Sequence, residues 1–292
     1  MNDKTVTGRL IDGLNVLLLL LAAAVCVLPF IYILASSLTA PEELLSGGFV
    51  LFPTKFSLAG YKYVLSTDII ISSLRVSVFV TVAGTLANLA FTALMAYPLA
   101  QRTLPGGKLV MKLVVFSMLF SGGMIPSYMV VKWTGLLDNV AALIVPGLIS
   151  AFNLIIMRSF FQQLPDGLEE AARIDGCTDP GILFKIVLPL SAPVLASLAL
   201  FYSVGHWNSY FSAVLYINDN AFWPIQVWLR QIVIMSQGGI GDSTQFSGDY
   251  VPPPAETIKM AVIIISTLPI LIVYPFLQKH FAKGALLGSV KG

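Results

Sequence analysis

The chain has 292 residues, of which 57% are hydrophobic and 11% charged, with a net charge of +2. Soluble domains carry about 25% charged residues; at a mean hydropathy of +0.84 the apolar surplus would coat any water-soluble globule, so the solvent for most of this chain is lipid. These numbers exclude nucleic-acid binding through a basic field, and two cysteines with two histidines leave no disulfide framework, metal-ligand set or Ser/His/Asp site.

Crossing about 30 Å of hydrocarbon as a helix takes about 20 mostly apolar residues. Residues 14–38, 69–100, 109–131, 140–161, 190–217 and 260–281 meet that requirement. The first stretch follows Lys4 and Arg9, as a signal-peptide core would, but its length exceeds the roughly 7–15 residues of such a core. Its one passable cleavage spot, Leu38-Thr39-Ala40, has no small residue at its first position and is followed by Pro41. It therefore reads as a retained span. Pro98, Pro126, Pro146, Pro193 and Pro269 are scattered, as kinks tolerated in packed membrane helices are, without the paired broken spans of inverted-repeat transporters. Arg75 and Arg158, near span ends, read as snorkelling to their interfaces.

Six spans put both termini on one side. Eleven Lys and Arg residues fall on that side and six on the other, which places the termini in the cytoplasm. The expected fold is an all-α membrane protein with six transmembrane helices. Residues 1–13 form a cytoplasmic N-terminus, 14–285 the membrane domain and 286–292 a cytoplasmic tail. Residues 39–68 and 218–259 are outside connections, and 162–189 is a long inside one. The second outside loop holds Gly238, Gly239 and Gly241, then Val251-Pro252-Pro253-Pro254; a mobile tip on a stiff stalk and a disordered loop both fit.

The inside connection carries the strongest local signal. Pro165 and Asp166 start a helix, Glu169-Glu170-Ala171-Ala172-Arg173 continues it, and Gly176 stops it. Thr178-Asp179-Pro180 starts a second helix that runs to Pro189. A plain connection between packed helices needs about 2–8 residues, so two projecting helices fit a docking element for a cytosolic protein. Ala171, Ala172 and Gly176 are small enough to admit another surface, with Glu170 and Asp175 as orienting charges. An amphipathic pair lying on headgroups would want several basic residues at its edge, whereas Arg173 and Lys185 stand among five acidic residues here.

Glu170-Ala171-Ala172, Asp175-Gly176, Phe184, Ile186, Leu188-Pro189 and Pro193 resemble the EAA loop of binding-protein-dependent ABC importer permeases. Cys177 stands where that family often has alanine. The C-terminal Lys283-Gly284-Ala285-Leu286-Leu287-Gly288-Ser289-Val290-Lys291-Gly292 and Trp207-Asn208 resemble the MalG-like member of the maltose-type carbohydrate permeases. The resemblance implies a MalF-like second permease, two ATPase subunits seated under the loops and an extracytoplasmic solute-binding protein that delivers an oligosaccharide in the bacterial inner membrane. Glu169, Glu170, Ala171, Ala172, Asp175, Gly176, Phe184, Leu188 and Pro189 would couple to the ATPase, the tail would reach between the ATPase subunits, and the loop at Gly238–Gly241 would enter the binding protein. Similarity to the subgroup associated with alginate and other uronate oligosaccharides makes an acidic sugar the expected cargo.

The chain carries no phosphate cradle of its own: Gly106-Gly107-Lys108 lacks the required glycine spacing and the following Ser or Thr. No enzymatic activity and no cofactor are expected. Polar residues are costly inside spans, so Asn88, Asn153, Tyr202, His206, Trp207, Asn208 and Tyr210 are candidates for the sugar pathway, with glue between helices as the competing role. Arg230 and Lys259, outside, are placed to attract an acidic sugar or simply to be solvated. The alternatives are an ABC permease for another polar solute and a secondary transporter working without ATP; the latter usually needs carboxylates deep in a span, and none of the fifteen acidic residues lies there.

Overall fold

The long apolar runs form continuous helices. A computed structural model describes residues 6–45, 50–120, 122–236 and 254–289. Helix α1 (Val6–Ser37) is followed by the short α2 (Pro41–Leu45) and α3 (Ala59–Ser66), then α4 (Asp68–Ala100). At 1.5 Å per residue the 33 residues of α4 extend about 50 Å, more than a bilayer core requires. Helices α5 (Gly107–Leu119) and α6 (Met124–Trp133) come next. Two 3-10 turns (Val140–Leu143, Val145–Gly147) precede α7 (Ala151–Phe161). Helices α8 (Asp166–Ile174), α9 (Asp179–Ile182) and α10 (Leu188–Leu190) lead to α11 (Ala192–Trp207) and α12 (Phe211–Tyr216). Helices α13 (Ile225–Ser236) and α14 (Ala255–Ser289) complete the order, and among the described residues the β pairing is a single bridge, Thr39 to Phe56.

Three helices, α1, α4 and α14, are each long and apolar enough to cross a membrane, and three broken pairs raise the number to six if each pair is one crossing. The number agrees with the sequence, but the continuity does not. Residues 109–131 divide into α5 and α6 around Gly122-Gly123, and 140–161 is helical in α form only from Ala151. The stretch 190–217 stops at Trp207, where the Asn208 side chain turns back to donate to the Val204 carbonyl at 3.0 Å. A short side-chain amide competing for backbone partners is a common end to a helix. Of the five prolines expected to kink spans, Pro98 and Pro269 lie inside continuous helices. Pro126 and Pro193 stand in first turns and Pro146 in a 3-10 turn, where a missing N–H costs least.

The chain divides into two compact units. One holds Met1–Ile70 with Leu229–Thr267. In it Ala40 N–H donates to the Lys55 carbonyl and Ser57 N–H to the Leu38 carbonyl, closing 38–57 into a small clasp. The Glu43 carboxylate accepts the N–H groups of Lys55 at 3.0 Å and Thr54 at 3.2 Å, and these bonds, Lys55 first, hold its pKa below the ordinary carboxylate value. None of the most apolar window of α1 is buried, as befits a helix whose solvent is hydrocarbon.

The other unit holds Ile71–Trp228 with Leu268–Gly292. Its larger core joins Ala93, Ala96 and Leu99 of α4, Leu154, Met157 and Phe161 of α7, Ala172 of α8, Ile182, Leu183 and Val187, and Val194, Leu198 and Tyr202 of α11. A polar ladder accompanies it. The break before α7 frees backbone groups that hydrocarbon cannot satisfy. Asn88 Nδ2 donates to the Gly147 carbonyl at 2.7 Å, and Ser150 N–H donates to the Tyr202 hydroxyl at 3.2 Å. The remaining ends of these side chains tie α4 to α11: Asn88 Oδ1 accepts from His206 Nε2 at 3.0 Å, and Thr92 bonds Tyr202 at 2.8 Å. Replacing Asn88 by leucine is expected to destabilise the protein by about 1–3 kcal/mol, because the Gly147 carbonyl, freed by the break before α7, loses a donor that hydrocarbon cannot replace. Thermal unfolding of the detergent-solubilised complex checks this; an unchanged midpoint would contradict it.

Candidate coupling site

The segment after α7 folds from local signals. Pro165, extended at φ −62° and ψ 125°, precedes α8, whose first turns carry acidic residues near the positive end of the helix dipole. Gly176 takes φ +82° and ends α8. Thr178 Oγ1 accepts the Gly181 N–H at 3.4 Å and opens α9. Residues Leu183–Val187 form a π turn into α10; Pro189 has no N–H to offer the carbonyl four residues back, which favours the wider turn. The direction then changes by 83° into α11.

The supports of α8 lie within the same unit. Gln101, just past the end of α4, donates through Nε2 to Glu169 Oε2 at 2.6 Å. Arg158 Nε donates to the Leu99 carbonyl at 2.7 Å and Gln162 Nε2 to the Ala100 carbonyl at 3.4 Å, capping the C-terminus of α4. Arg158 thus engages the end of α4 through Nε. Ala172 is not available to another surface. It is 5% exposed and belongs to the core cluster, because its face of α8 turns inward. Leu188 packs half-buried against that cluster. Arg173 and Asp179 bridge at 3.1 Å with both side chains more than half exposed, so this pair contributes little.

The outward face is different. Glu170, Ala171, Asp175, Gly176 and Pro189 are exposed. So are Leu168 at 42%, Phe184 at 59% and Ile174 at 86%. Large apolar side chains left open on a short polar segment are the kind of surface that another body can cover.

The other candidates separate into groups. Asn88, Tyr202 and His206 come together through the hydrogen bonds described above, an arrangement that fits the gluing role competing with a pathway role. Trp207 is buried and lines an apolar pocket of about 170 Å³ with Val78, Leu200 and Pro269. Asn153 is 5% exposed, and Asn208 and Tyr210 lie past the end of α11. Lys259 is paired with Glu256 at 2.5 Å, which engages one of the two cations expected to attract an acidic sugar. Gly238, Gly239 and Gly241 lie outside the described residues, as do the last three residues of the tail; its preceding residues continue α14 to Ser289. Sequence reasoning missed Gly84, Thr92, Gln101 and Ser150. Gly84, Asn88 and Thr92 recur every four residues in an apolar span, and that period was the available signal.

Residues 2–286 match the model of the family described as binding-protein-dependent transport system inner membrane component. The chain belongs to this family. Within it, the polygalacturonan/rhamnogalacturonan transport system permease protein of Bacillus subtilis (strain 168) is 60% identical over 285 residues, covering 98% of this chain and 99% of that relative. Among solved structures, a bacterial ABC transporter involved in the import of the acidic polysaccharide alginate matches with a TM-score of 0.89 and 31% identity, over 96% of this chain and 100% of that one. A bacterial alginate ABC transporter in complex with an alginate pentasaccharide-bound periplasmic protein matches at TM-score 0.57 and 15% identity over 93% of this chain and 95% of that one, a likeness of fold. The resemblance drawn from the EAA loop and the tail is thus borne out. As an ABC permease the chain is a non-enzymatic membrane subunit, and ATP hydrolysis belongs to separate subunits. The reading as a transporter independent of ATP falls.

Proposed function

We propose that this chain is the MalG-like half of an inner-membrane importer for acidic, uronate-containing oligosaccharides. It pairs with a MalF-like permease, two ATPase subunits and an extracytoplasmic binding protein, with both termini in the cytoplasm. The segment 162–189 docks the ATPase through Leu168, Ile174 and Phe184, with Glu170 and Asp175 beside them. Closing of the ATPase dimer displaces the loop and, with it, the third to sixth spans; a ligand shifts such an equilibrium only through its different affinity for the two states. The outside loop around Gly238–Gly241 and the tail from residue 286 serve the binding protein and the ATPase pair respectively.

One observation carries the substrate: full-length identity of 60% to a permease for polygalacturonan and rhamnogalacturonan, polymers that contain uronic acids. The match to an importer of the acidic polysaccharide alginate points the same way. The complex, reconstituted with its binding protein, is expected to raise its ATP hydrolysis with galacturonate or alginate oligosaccharides and not with neutral maltooligosaccharides. Stimulation by neutral sugars or by a solute that is not a sugar, with none by uronates, would support the alternative of another polar cargo.

A further inference from the structure

Two pockets flank α8. One of about 410 Å³ opens towards α9 and another of about 280 Å³ towards the start of α8, and Gln101, Thr103 and Arg173 line both. These side chains stand between the two, and the flank of α8 that carries Glu169 and Arg173 borders open space, while its other face packs Ala172 into the core. At this boundary lies the 2.6 Å bond from Gln101 to Glu169, whose carboxylate lines the smaller pocket. Its acceptor is a carboxylate and it is partly buried, which makes it stronger than a neutral bond on the surface. At its other end Gln101 follows directly on α4, whose last carbonyls are held by Arg158 and Gln162 of the α7 segment. Further along α4, Asn88 and Thr92 are bonded to His206 and Tyr202 of α11.

We propose that the Gln101–Glu169 bond is the strut that carries displacement of α8 into α4, so that the second span takes part in alternating access together with α7 and α11. Gln101 and Glu169 act as positioning residues: neither needs to touch sugar or nucleotide. The inference rests on reading 162–189 as the loop that docks the ATPase.

The test uses the whole complex with its binding protein in proteoliposomes, with import and ATP hydrolysis measured on the same vesicles. Gln101→Ala and Glu169→Ala are each expected to lower import per ATP about tenfold, the size of an ordinary coupling between sites, while the ATPase subunits still co-purify. Gln101→Glu alone sets two carboxylates against each other and is expected to match the alanine variants. The reciprocal exchange, Gln101→Glu with Glu169→Gln, trades donor for acceptor and is expected to return import per ATP to near the starting value. A purely structural role for either side chain would not predict that recovery. Unchanged import per ATP in Gln101→Ala, or no recovery in the exchange, would overturn the strut. Ile174→Glu separates the underlying reading: if the ATPase stays bound and import persists, docking at this loop is wrong; if the ATPase is released while Gln101→Ala imports normally, only the strut is wrong.

Discussion

Gly176→Val is expected to lower import about tenfold or more while ATP hydrolysis persists. Gly176 has φ +82°, and a Cβ added there meets nothing within 4 Å, so the cost lies in the backbone and not in a clash. A β-branched residue in that region costs about 1–3 kcal/mol, and a shift of about 1.4 kcal/mol already changes a population tenfold. The substituted turn relieves its strain by leaving the left-handed region, which changes the angle at which α8 follows into Thr178 and α9. The weak, exposed bridge from Arg173 to Asp179 cannot hold the angle by itself. Gly176→Asn is expected to lose much less, since asparagine tolerates this conformation best among residues with a side chain. Import and ATPase activity of reconstituted complexes decide the matter. If the valine variant imports at the wild-type rate with ATPase intact, the turn is not part of the link.

The turn at Gly176 was readable in the sequence because its causes are local: a helix-forming run, a glycine, then a capping threonine and a proline. The continuous helices α1, α4 and α14 were readable for a similar reason, since each is one long apolar run whose prolines leave the helix unbroken. The breaks were not. A membrane helix can stop before Ala151 only if other elements satisfy the freed groups, and the residues that do so, Asn88 and Tyr202, lie 59 and 52 positions away. Hydropathy does not register that arrangement, so from the sequence Asn88 and Tyr202 are polar residues in spans, open to a pathway role or a gluing one. Ala172 shows the limit at the coupling site. Small side chains say that something approaches closely, and only the packing of α8 reveals that it is the chain's own core. The exposed Ile174 and Phe184, which carry the docking reading, differ from buried Ile182 and Leu183 by position alone.

Enlarging Gly84 is expected to be among the most damaging single changes inside the membrane. An ideal Cβ at this position lies 2.5 Å from Nε2 of His206 and within 2.8 Å of two ring carbons. The imidazole cannot swing aside freely, because Nε2 is bonded to Asn88 one turn further along α4. Gly84→Ala is expected to destabilise the complex by about 1–3 kcal/mol, the usual cost of overpacking. Gly84→Leu is expected to prevent assembly, because α4 and α11 would have to part and release the bonds from Thr92 and Ser150 to Tyr202 as well. His206→Ala alone removes the ring and leaves Asn88 Oδ1 without its donor, a smaller loss. Combined with Gly84→Ala, however, it makes room for the methyl group. The double variant should therefore be less destabilised than the sum of the singles, as substitutions at contacting positions are. Thermal unfolding of the four proteins in the assembled complex gives the coupling directly. Strict additivity would mean that Gly84 and His206 are not in contact, and the ladder that joins the second span to the fifth would have to be redrawn.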